Sequence, residues 1–110
     1  MCKFNDFKNK LVYISGTMTG LPNHNSDGFH SVEKVLRQRG FTSIFNPISI
    51  SEEFGLDHDY NFYMRKALEK MMTADAIYVF GDYSKSRGVH LEIKLAHTVC
   101  IPVFYEEYND

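Results

Sequence analysis

Three short apolar runs constrain this chain more than anything else in it. They are Leu11-Val12-Tyr13-Ile14, Ala76-Ile77-Tyr78-Val79-Phe80 and Ile101-Pro102-Val103-Phe104-Tyr105. Each is apolar at consecutive positions, not at alternate ones. A strand with one wet face alternates, whereas a parallel strand covered on both faces does not. A weaker strand is Thr42-Ser43-Ile44-Phe45, stopped by Asn46-Pro47. Between the runs the period changes to a helical one. Phe29, Val32, Val35 and Leu36 share a stripe that Gly40 ends. Tyr60, Met64, Ala67, Leu68 and Met71 form a second. Val89, Ile93 and Ala96, with Leu91 and Leu95, form a third, broad enough to predict burial from two sides.

The order β-α-β-α-β-α-β predicts right-handed crossovers and helices on both faces of a doubly wound sheet. The expected architecture is one Rossmann-like (flavodoxin-like) α/β domain over residues 1–110, with four parallel strands ordered 2-1-3-4. A chain of 110 residues has room for one core. Hydrophobic residues at 44% and aromatics at 15% are enough to build it. The net charge of −2, with no basic stripe, argues against a nucleic-acid partner. No apolar stretch approaches the roughly 20 residues of a membrane span, and Met1 to Lys10 lacks a signal-peptide core. The expectation is a cytoplasmic protein with no membrane partner. Cys2 and Cys100 fit free thiols, and neither they nor the five histidines have metal-ligand spacing. The acidic Glu106 to Asp110 reads as a mobile tail.

In such sheets a ligand sits beyond the carboxyl ends of the strands, where the strand order reverses. Here that point lies between strands one and three. The loop after strand one is Ser15-Gly16-Thr17-Met18-Thr19-Gly20. Gly16 lets the backbone approach a ligand, and Thr17 and Thr19 offer hydroxyls. It is neither a Walker loop nor GxGxxG. The loop after strand three is Ser84-Lys85-Ser86-Arg87-Gly88, running into Val89-His90-Leu91-Glu92. Ser86 and Gly88 would put a hydroxyl and bare backbone at a helix start, which attracts anions. Lys85 and Arg87 would make the mouth positive. Glu92, one turn further in, would lie near the anion without touching it. A plain turn, a Ser86 cap and a first-turn acid explain the same residues structurally. Tyr60, Tyr63 and Met64 are either core or the walls of a base pocket. Asp57, His58 and Asp59 either cap the second helix or touch a ligand.

These segments, with Phe45-Asn46-Pro47, Tyr63-Met64-Arg65, Ala74-Asp75-Ala76-Ile77-Tyr78 and the Ser86-Arg87-Gly88…Glu92 spacing, give the chain a resemblance. From about Leu11 to Tyr105 it resembles the nucleoside 2-deoxyribosyltransferase-like superfamily. Within that group it is similar to a small, phage-rich family of unknown function. The resemblance implies retaining N-glycosidic chemistry on a deoxynucleoside or its 5′-monophosphate, with no metal or organic cofactor. Glu92 would be the nucleophile. Ser86 and Gly88 would hold the 5′-phosphate, as in the deoxynucleoside-monophosphate N-glycosidase branch. Tyr13, Gly16, Thr17 and Met18 would border the substrate. Two positions depart from the pattern. Ala67 stands where many relatives carry an aspartate, leaving Asp57, Asp59 or Asp82 to substitute. Thr19 stands where the glycosidase branch has an arginine, for which Arg65, Lys85 or Arg87 would compensate.

A non-catalytic nucleotide binder, such as a phage-type protein that sequesters a nucleotide signal, is the alternative. A purely structural interaction module is a third. The resemblance also implies a homodimer or larger homo-oligomer, formed through the apolar face of the second and third helices with Met71 and Met72. Light scattering at micromolar concentration should therefore report at least twice the chain mass, and a monomer would remove this expectation.

Overall fold

Runs that are apolar on both sides need two covering layers, and the chain supplies them. The computed structural model describes residues 2–106. Its strands are β1 (Leu11–Ser15), β2 (Ser43–Phe45), β3 (Ala76–Val79) and β4 (Val103–Tyr105). They form one parallel sheet in the order β2-β1-β3-β4, as the sequence predicts. Val12 lies opposite Ile44 on one side and Ala76 on the other, which fixes the register of β2, β1 and β3. The helices are α1 (Ser26–Gln38), α2 (Ile48–Phe54), α3 (Tyr60–Met71) and α4 (Arg87–Thr98). No helix among the described residues is long and apolar enough to cross a membrane.

Alternate residues along the strands serve opposite faces. Val12, Ile14, Tyr78 and Phe80 join Phe29, Val32 and Leu36 of α1 in one core. Tyr13, Ile77 and Val79 join Ala67 and Met71 of α3 and Val89 and Ala96 of α4 in the other. An N-terminal turn, Phe4–Phe7, closes the first core. The Phe4 ring stacks on Phe41 at 4.4 Å and on Tyr78 at 4.8 Å, and meets Phe104 at 5.2 Å.

Several details differ from the sequence reading. Val35 is half exposed at 50%, so the apolar stripe of α1 is narrower than its sequence suggests. Leu91 is 38% exposed, so α4 is covered on one side within the chain and not on two. Met71 is wholly buried beneath α3 and cannot belong to a docking face, whereas Met72 is exposed. Glu106 is described, and its carboxylate accepts the Gly81 N–H at 3.2 Å. The rest of the expected acidic tail, 107–110, lies outside the described residues.

Asn46-Pro47 does end β2, but the chain then turns directly into α2. The cause is a buried side chain. Asn46 Oδ1 accepts the Ile48 N–H at 3.1 Å, so the amide starts the helix. Its Nδ2 donates to the Phe29 carbonyl at 3.2 Å and to Glu33 at 3.0 Å. One side chain thus ties α2 to α1. Asn46→Ala would leave the Ile48 N–H and the Phe29 carbonyl without these partners. We expect it to destabilise the fold by about 2–3 kcal/mol, read as a lower urea midpoint with an unchanged slope.

Candidate functional site

A carboxylate on an otherwise apolar helix stripe is the centre of the site. Val89, Glu92 and Ala96 follow one another at spacings of three and four, so they share one face of α4. That face is turned inward, and Glu92 is only 6% exposed. An unpaired buried carboxylate would be costly. Here both oxygens are held. Tyr13 donates its hydroxyl to Oε2, and Ser15 donates to Oε1 at 2.7 Å. Tyr13 and Ser15 are two apart on β1, and so point to the same face of the sheet. Burial pushes the Glu92 carboxyl up, while the bonds from Tyr13 and then Ser15 hold it down in part. Burial, then the neighbouring Glu92 charge, keep the Tyr13 phenol well above its usual range.

The carboxylate faces a cavity of about 320 Å³, which lies at the lower end of the range for small-molecule sites, about 300–1,000 Å³. Residues from the β1 loop, α3 and the start of α4 line it, together with Pro47, Ile50 and Ser51 from the β2–α2 corner. This is the strand-order reversal between β1 and β3, where the sequence placed the ligand.

Six expected site residues come together here: Tyr13, Gly16, Met18, Ser86, Gly88 and Glu92. Thr17 does not. Its hydroxyl donates instead to the Asp82 carbonyl at 2.9 Å, tying the first loop to the loop after β3. Gly16 lines the cavity, but packing alone requires it to be a glycine: a Cβ there would fall 2.3 Å from the Phe80 ring. Ser86 caps α4, with Oγ accepting the Val89 N–H at 3.2 Å. The Arg87 and Gly88 N–H groups open the helix and have no acceptor one turn back. Gly88 is the open point of this wall, since a Cβ would meet only Tyr60 and Met64 at 3.5 and 3.6 Å.

Tyr60, Tyr63 and Met64 line the cavity, and Tyr63 packs against the core as well. Ala67 also lines it. None of Asp57, Asp59 and Asp82 does. Asp59 caps α3, accepting the Phe62 N–H at 3.0 Å, and Asp82 accepts the Ser84 N–H at 3.0 Å. Among the described residues Glu92 is the single carboxylate on the lining. Arg65, Lys85 and Arg87 are also absent from it. The Arg87 guanidinium lies over the Tyr60 ring, 5.1 Å from its centroid. Arg87 thus reaches the cavity only through the outer side of a wall residue, Tyr60. His90 faces outward, bonding the Ser84 carbonyl at 3.1 Å.

Sequence reasoning missed Ser15 as a partner of Glu92, and missed the His24 imidazole on the lining; His58, offered as a cap or a ligand contact, also lies there. The Ser15 signal was present, since a hydroxyl two residues from a buried Tyr must share its face. His24 is brought in by an unusual backbone. Asn23, His24 and Asn25 have φ of 48°, 58° and 64°, all left-handed. At His24 this costs about 1–3 kcal/mol, a strain that clusters at functional sites, whereas Asn adopts the conformation more readily.

A scan of family models matches residues 10–105 to the family described as a domain of unknown function, DUF4406, and the chain belongs to that family. No curated protein and no solved structure gives a significant match.

The raised carboxyl makes a stability prediction. Below the ordinary value of 4.5, Glu92 is protonated in both the folded and the unfolded chain. Above 4.5 the unfolded chain loses this proton first, while the folded chain keeps it until its own higher pKa. The stability that Glu92 contributes is thus full below 4.5 and is lost as the pH rises through the folded value. Glu92→Gln removes this loss. Urea midpoints measured from pH 4 to pH 8 should favour the variant increasingly as the pH rises, and a constant difference would contradict the burial effect.

Proposed function

We propose that this DUF4406 protein breaks the N-glycosidic bond of a deoxynucleoside or its 5′-monophosphate, with Glu92 as nucleophile. The observation that carries this reading is a buried carboxylate, held at both oxygens by hydroxyls, on the wall of a ligand-sized cavity at the strand-order reversal. A carboxylate so fixed is oriented for attack on an anomeric carbon without reorganisation. One Glu92 oxygen bonds to C1′ as the C1′–N bond breaks, and the electron pair leaves with the base. Water, or a second base, then displaces the sugar from the carboxylate with overall retention. Tyr13 and Ser15 hold the carboxylate in line and stabilise it again as it is released. The apolar and aromatic walls suit a nucleobase. The open α4 N-terminus at Ser86 and Gly88 suits a 5′-phosphate or a sugar hydroxyl.

A second reading is favoured by one observation. Glycosidic bonds are usually broken by two carboxyl groups, and this lining holds one. With no proton donor for the base, the same cavity would hold a nucleotide without cleaving it. The domain would then be a nucleotide-sequestering binder.

The test is incubation of the purified protein with the deoxynucleosides and their 5′-monophosphates, with free base read by chromatography. Glu92→Gln should lower base release at least about 10³-fold while leaving affinity within a few-fold. A rise in melting temperature with one nucleotide, without release of base, would select the binder.

A further inference from the structure

We propose that His24 is the acid that protonates the departing base, an assignment that rests on the N-glycosidic reading above. The base leaves with the electron pair of the C1′–N bond and must gain a proton. Glu92 cannot give it, because its carboxylate forms the new bond to C1′. Imidazole is the side chain whose ordinary titration suits proton transfer near neutral pH. His24 and His58 are the two on the lining. His58 is committed: its Nε2 bonds the Phe54 carbonyl at 3.0 Å, and its ring stacks on Phe62 at 3.9 Å. His24 is half-buried and meets Tyr63 edge-on at 5.1 Å.

The surroundings of His24 are built to hold it. Asn25 donates its amide to the Thr17 carbonyl at 3.1 Å. The same amide fills the space beside Gly28, where a Cβ would lie 2.5 Å from Asn25 Oδ1. This clamp fixes the left-handed turn that carries the imidazole inward. His24 also approaches from a different wall than the nucleophile. Glu92 is tied to β1, whereas His24 packs against Tyr63, one turn along α3 from Ala67. Attack and departure occur on opposite sides of the anomeric carbon, so two walls are needed.

The step balances. The imidazolium gives its N–H proton to the base nitrogen as Glu92 bonds to C1′, and neutral base departs. The neutral imidazole then takes a proton from the incoming water, whose oxygen bonds to C1′ as the Glu92 ester breaks. Glu92 and the imidazolium are both restored.

The test compares 2′-deoxyguanosine with 7-methyl-2′-deoxyguanosine, each supplied as nucleoside and as 5′-monophosphate. The methylated base already carries a positive charge and departs neutral without a proton. His24→Asn is the primary variant, because Asn tolerates the left-handed backbone, and His24→Gln is the second. Read in a single turnover with protein in excess over substrate, so that base release is seen before the water step, either should lower guanine release by about 10²–10⁴-fold and leave 7-methylguanine release within about threefold of wild type. Glu92→Gln should abolish both. Equal losses on the two substrates in a folded His24 variant, or no loss on either, would overturn the assignment. Release from neither by the wild-type protein would overturn the glycosidic reading itself, and His24 with it.

Discussion

The bond pair from Tyr13 and Ser15 to Glu92 is the constraint around which the site is organised. It spans the central strand and the helix that follows β3, so it fixes α4 against the middle of the sheet. A leucine in place of the acid would pack against the same face without needing partners. The chain instead carries an acid whose charged form burial penalises, and supplies two hydroxyls from one strand to hold it. A buried acid held by hydrogen bonds contributes little to net stability, and removing one partner is the expensive event.

The architecture was legible because parallel strands leave a distinctive record. Val12 to Ile14 and Ala76 to Val79 are apolar at every position, and a covered parallel strand explains that pattern most simply. The left-handed Gly40 was equally clear, since few other residues adopt φ of 100°. Helix α2 was not legible. Asn-Pro reads locally as a stop, and only the burial of Asn46 against α1 turns it into a start. The breadth of the α4 stripe also misled, because Leu91 adds hydrophobicity without adding burial.

The site was readable in part for the same reason. Glu92, Ser86 and Gly88 stand at local spacings that a helix start makes meaningful. Thr17 was misjudged because a hydroxyl in a glycine loop looks the same whether it meets a ligand or a carbonyl, and Asp82 is distant in sequence. His24 carried no pattern at all. Its place on the lining depends on three successive left-handed residues, and on Gly28 yielding its side-chain space to Asn25. Such contacts are tertiary facts that periodicity does not encode.

The Phe4 ring has a consequence for how this domain comes to exist. It stacks on Phe41 and Tyr78 and also touches Phe104 on β4. Phe104 is made 100 residues after Phe4. At ordinary translation rates the interval is roughly 5–20 s. Through that time the N-terminal turn has only part of its aromatic seat, and β3 lacks its outer neighbour. The domain is therefore completed late in its synthesis, when β4 closes both the sheet and the aromatic cluster. A ribosome stalled before β4 would carry an open sheet edge, available to chaperones and to other nascent chains.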